Sequence, residues 1–124
     1  MRRSKSNEHM EQSAYFDWWR QYAKALQIHE ALCFAIKNDS SHTATGRIYR
    51  WKEGVMAGVW DVFLAIPSGE YSGLWMEFKH GKNKLTKTQA DFGDAVSFRG
   101  YATEVVYSAD EAIKAVQQYL RLSL

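Results

Sequence analysis

The sequence predicts an α/β domain: a mixed β-sheet with helices on both sides, in the order α-β-(α)-β-β-α-β-α. Three observations lead there. Two apolar runs, residues 58–66 and 73–79, are joined by the Pro/Gly/Ser-containing stretch 67–72 and read as a β-hairpin. A further run, residues 101–107, alternates around Val105 and Val106. Segments with helical apolar spacing lie before, between and after these runs. At 124 residues, 46% hydrophobic and 15% aromatic, the chain reads as one domain with a substantial core, residues 1–6 forming a flexible basic arm.

The first helix starts after Ser6 or Asn7, with Glu8 in its first turn, and runs to about Leu26. Phe16, Trp19, Ala23 and Leu26 make one apolar stripe. Tyr15, Trp18 and Tyr22 make a second, whose face Glu11 shares from one turn earlier. Residues 32–36 are a continuous apolar run, expected to be a buried strand. Residues 37–41 are turn-like, and 43–53 space Arg47, Ile48, Arg50 and Trp51 as a short amphipathic helix ending before Gly54. After the hairpin comes a basic loop, 80–84. Thr86 and Gln89 then have capping-box spacing and open a helix bearing Ala90, Phe92, Val96 and Phe98, closed by Gly100. Ser108 and Glu111 repeat that spacing before a last helix with Ile113, Val116 and Leu120.

Several function classes drop out. The single cysteine, Cys33, permits no intramolecular disulfide and fits a reducing cytoplasm. No run is long enough for a membrane span, and the basic start lacks the apolar segment of a secretion signal. There is no Gly-rich phosphate loop, dinucleotide fingerprint or nucleophile elbow, so no nucleotide cofactor is expected. His9, His29, His42, His80 and Cys33 lack zinc-ligand spacing. A net charge of +2 is too small to name a partner by itself.

The hairpin carries the candidate chemistry. Asp61 lies on its first run and Glu77 on its second, with Lys79 two residues further on and therefore on the same strand face as Glu77. A buried charge is costly unless paired or bound to a metal. Two hard oxygen donors with an ammonium beside them suit Mg²⁺ or Mn²⁺ and an activated water. A lone Glu-x-Lys is more often an exposed cross-strand ion pair; the set, on an otherwise apolar hairpin, favours a site. His80, Lys82, Lys84 and Lys87 follow with Lys79 in a stretch without acids, and Arg47, Arg50 and Lys52 form a second cationic set; both suit phosphate contacts. Of the five tryptophans, Trp75 and one of Trp18 and Trp19 fit core stripes, whereas Trp51 and Trp60 are open between core and base stacking.

In order and spacing these segments resemble the VRR-NUC domain (virus-type replication-repair nuclease) of the PD-(D/E)xK superfamily. The resemblance covers most of the chain: Glu11-Gln12 with the aromatic helix, residues 34–38, 53–64 around Gly58 and Asp61, the Glu77-Phe78-Lys79 strand, 84–89 with Gln89, and 99–101. It implies a restriction-endonuclease-like core in which Asp61, Glu77 and the Phe78 carbonyl hold the metal. Glu11 would complete the shell, or Glu8 if the register differs. Lys79 would handle the attacking water and Gln89 support the site. The family usually has a proline before the aspartate and another in the Asn turn, where this chain has Trp60 and Lys37. The resemblance also implies homodimers of phage or bacterial replication and repair, acting on duplex or branched DNA in the manner of Holliday-junction resolvases. A non-catalytic DNA-binding subunit, an exonuclease and a restriction-like nuclease are the alternatives.

Overall fold

The hairpin forms, and it forms the centre of the sheet. The computed structural model of the chain describes residues 4–37 and 44–122. Its elements are α1 (Ser4–Leu26), a 3₁₀ turn (Glu30–Leu32), β1 (Cys33–Ala35), α2 (Ala44–Lys52), β2 (Val62–Leu64), β3 (Leu74–Phe78), α3 (Lys87–Phe98), β4 (Ala102–Val106) and α4 (Ala109–Arg121). The strands lie in the order β1-β2-β3-β4. β1 and β2, and β2 and β3, pair antiparallel, whereas β3 and β4 pair parallel with α3 as the crossover, so the sheet is mixed. The basic start at residues 1–3 and most of the expected turn, 38–41, lie outside the described residues.

One face of the sheet holds the main core. Leu74, Met76 and Phe78 alternate toward it and meet Tyr15, Trp19 and Ala23 of α1 and Ala112, Val116 and Tyr119 of α4, all buried. The α1 stripe therefore advances in steps of four from Tyr15, and Leu26 of the expected stripe is half exposed. The reason is local: Gln27 turns left-handed (φ 59°) and the Ile28 amide returns to the Ala23 carbonyl at 2.8 Å, ending the helix at Leu26. At its other end α1 begins at Ser4, ahead of the expected start and within the arm that the sequence leaves flexible; a helix end set by backbone bonding need not coincide with the best capping residue.

The opposite face carries α3. Trp75 packs on Phe63 (ring centroids 4.4 Å apart) and edge-on to Phe92 (5.0 Å). Thr86 and Gln89 make the reciprocal capping box their spacing predicts. Ser108 caps α4 through the Glu111 amide, but Glu111 reaches back to the Tyr107 amide rather than to Ser108, so the second box is only half formed. β1 is an edge strand that pairs with β2 on one side, with Cys33 buried and Phe34 exposed, not the buried strand expected. Phe98 is also exposed, its ring beneath the Arg99 guanidinium. α2 forms where predicted but buries none of its residues.

Candidate active site

β3 alternates Leu74, Met76 and Phe78 into the core, which leaves Glu77 and Lys79 together on the α3 side. The β2–β3 register pairs Val62 with Met76; one step further along the ladder Asp61 stands opposite Glu77. Backbone pairing stops there, and the two acids replace it. The Asp61 amide donates to Glu77 Oε1 (3.1 Å), and the Phe78 amide donates to Asp61 Oδ2 (3.0 Å). The Asp61 carbonyl accepts from the Ile36 amide (2.7 Å), tying this corner to the end of β1. The regular strand is thus 62–64, shorter than the apolar run 58–66, because its first residues are used to build the corner.

Glu77 is 3% exposed, an unusual depth for a carboxylate. Its Oε2 accepts from Gln89 Nε2 (2.9 Å) and lies 3.7 Å from Lys79 Nζ, itself nearly buried. Gln89 does two jobs at once: its side-chain oxygen accepts from the Thr86 amide (3.0 Å) to cap α3, and its amide fixes Glu77. Burial raises the Glu77 carboxyl far above the usual range, to about 8; the Asp61 charge and that of Glu8 push the same way, against Lys79 and the Asp61 amide. Burial also raises the Asp61 carboxyl, opposed by the Phe78 amide, the Lys79 charge and a side-chain hydrogen bond with Glu77. Two adjoining carboxyls beside one ammonium titrate as a pair.

Glu11 is elsewhere. Its Oε1 accepts the Ala109 amide at 2.7 Å, at the head of α4. Its place one turn before Tyr15 aims it at the core face, where a helix N-terminus offers unpaired N–H groups. Glu8, one turn earlier, is the α1 acid whose charge acts on Glu77. The first-helix acid nearest the pair in electrostatic effect is therefore the fallback rather than Glu11.

The loop from Lys79 to Thr86 leaves the site at one end and returns to it at the other. His80, Lys82 and Lys84 lie on this loop, and Tyr107 Oη holds it through the Asn83 carbonyl (2.8 Å). Lys87 is exposed and paired with Asp91 (3.1 Å), a surface contact weak enough to exchange for a phosphate. Arg47, Arg50 and Lys52 lie on α2. A recess of about 460 Å³ between β4 and α4, lined by Leu74, Ala102, Glu104, Gln118 and Tyr119 among others, holds none of the candidate groups.

The fold has a counterpart among solved structures. A VRR_NUC domain protein superposes on the chain with a TM-score of 0.74 at 24% identity, covering 94% of this chain and 90% of that one. Its fold is that of a VRR_NUC domain. No family model matches the sequence, and no curated protein matches it. The VRR_NUC-like fold accounts for the mixed sheet and for the crossover helix that brings Gln89 back over β3.

Trp60 is one of the two tryptophans whose role its own segment leaves open. The structure buries it to 2% exposure beside the acids, its Nε1 donating to the Gln89 carbonyl (2.8 Å). Its position directly before Asp61 is the one local signal, but the residue it meets lies on α3, 29 positions further along the chain, and cannot be read from local pattern.

Proposed function

We propose that this chain is a Mg²⁺- or Mn²⁺-dependent DNA endonuclease that hydrolyses phosphodiester bonds. The observation carrying this reading is the convergence of Asp61, Glu77 and Lys79 at one end of the β2–β3 pair, in a VRR_NUC-like fold. The donor set fits the cation: two carboxylates with raised proton affinity and no thiol suit a hard, oxygen-seeking ion. Among the described residues no three His, Cys, Asp or Glu side chains cluster as a cage, so waters would have to complete the ion's shell. Asp61, Glu77 and the Phe78 carbonyl would hold it, with Glu8 the candidate acid from α1.

Such an ion supplies Lewis acidity at the phosphate and acidifies a water. The chain supplies the rest. Lys79 Nζ, held near Glu77 Oε2, orients the attacking water and offsets charge growing on the phosphate. Gln89 keeps Glu77 in place. His80, Lys82, Lys84 and Lys87 neutralise flanking phosphates, with Arg47, Arg50 and Lys52 as a second contact. The preferred substrate on this reading is branched DNA cut by a homodimer with two sites, an inference from the family resemblance.

Cleavage of a labelled four-way junction beside linear duplex and closed circle, with Mg²⁺, Mn²⁺ or EDTA, tests both levels. Paired cuts near the branch support the dimeric resolvase. Cutting of linear duplex alone removes the branched preference. No cutting with either metal, at any enzyme concentration, removes the nuclease and leaves a DNA-binding subunit.

A further inference from the structure

Trp60 is buried, yet it stands apart from the main apolar cluster between the sheet and α1 and α4. It lies instead against α3. A Cβ added at Gly93 would come 2.7 Å from Trp60 Cζ2, so the indole rests on bare helix backbone. Two residues before it, Gly58 is left-handed (φ +90°), and a Cβ there would stand 2.5 Å from the Thr88 carbonyl oxygen. Two glycines thus let residues 58–60 lie on the first half of α3. From that seat Trp60 Nε1 donates to the Gln89 carbonyl (2.8 Å), Gln89 Nε2 donates to Glu77 Oε2 (2.9 Å), and the amide of Asp61, the next residue in the chain, donates to Glu77 Oε1 (3.1 Å).

We propose that Trp60 is a positioning residue: its indole N–H fixes the first turn of α3 so that the Gln89 amide stays on Glu77, closing a ring of hydrogen bonds around the two acids. Each link orients the next, and loss of one loosens Glu77, whose two oxygens are both held within the ring. A tryptophan serving only to fill space would find any nearby acceptor; this one bonds the residue that holds the buried acid. The kinetic part of the inference rests on the nuclease reading, but the ring itself does not.

The test is Trp60→Phe, which keeps a ring over Gly93 and removes the N–H. In ¹⁵N-labelled, metal-free protein the Gln89 side-chain amide resonances should move to free-glutamine positions while the melting temperature stays near that of the wild type. Unmoved Gln89 resonances overturn the proposal. In cleavage assays kcat should fall roughly five- to ten-fold, the scale of one hydrogen bond, with KM for DNA unchanged. In a Gln89→Ala background, where no side chain remains to be positioned, Trp60→Phe should have no further effect on kcat; two losses that multiply overturn the inference. If Trp60→Phe does not fold, Gly93→Ala, which displaces the indole from below, takes the same amide measurement. That measurement needs no cleavage, so a protein that never cuts DNA still decides whether the ring exists.

Discussion

The amide of Asp61 donates to the carboxylate of Glu77 across 3.1 Å, so the backbone of one acid holds the side chain of the other. The geometry makes the pair a unit. Moving Asp61 moves Glu77, and the sheet end cannot relax around either alone.

The charge on each member, rather than its shape, should therefore be what catalysis needs. Asp61→Asn and Glu77→Gln keep most of the hydrogen bonding and remove the anion. Each should lower cleavage by at least about a hundred-fold. Lys79→Ala should do the same, and Lys79→Arg should not rescue it, since the planar guanidinium cannot take the place of the compact ammonium held 3.7 Å from Glu77 Oε2. Circular dichroism of each variant checks folding, and full cutting by all three charge-removing variants would refute the assignment.

Glu77 gives the metal-free protein a pH signature. Its carboxyl is raised from 4.5 to about 8 in the fold, so between those values the folded chain keeps a proton the unfolded chain has released. The stabilisation is complete below about 4.5 and is lost as pH rises through about 8, with the raised Asp61 acting in the same direction. A urea series should show stability falling across that window, with a contribution of up to about 1.4 kcal/mol per pH unit for one proton. Glu77→Gln should flatten this component, and millimolar Mn²⁺ should restore stability at the alkaline end by binding the ionised pair. Equal slopes in wild type and Glu77→Gln would contradict the raised carboxyl.

Glu11 and Glu8 should separate cleanly. Glu11→Ala removes a charge-assisted bond at the head of α4 and should cost about 1–2 kcal/mol of stability. It should leave Mn²⁺ affinity unchanged. Glu8→Gln should weaken Mn²⁺ binding several-fold with little change in stability. Calorimetric titration of both variants decides, and the reverse pattern would return Glu11 to the metal shell.

Ser68 tests the far corner of the fold. Its buried Oγ donates to the Tyr119 carbonyl (2.6 Å), while Tyr119 Oη donates to the Ile66 carbonyl (2.6 Å), so α4 and the β2–β3 connection clasp each other. Ser68→Ala should destabilise by about 1 kcal/mol, read by urea denaturation, without affecting metal binding. A drop in Mn²⁺ affinity would show that the two ends of the sheet are coupled.

The sequence by itself determined much of this protein. Turn residues and apolar periodicity set the hairpin and the helices, since both signals are local. Period two along β3 was enough to put Glu77 and Lys79 on one face, and the Thr86–Gln89 spacing announced the cap of α3. Tertiary structure decided what depends on partners distant in the chain. It aimed Glu11 at Ala109, left β1 at the sheet edge, and seated Trp60 on Gly93. It also gave one glutamine both a helix to cap and an acid to hold. Periodicity tells which way a side chain points relative to its own backbone. What stands at the other end is fixed only when the sheet register and helix packing are set.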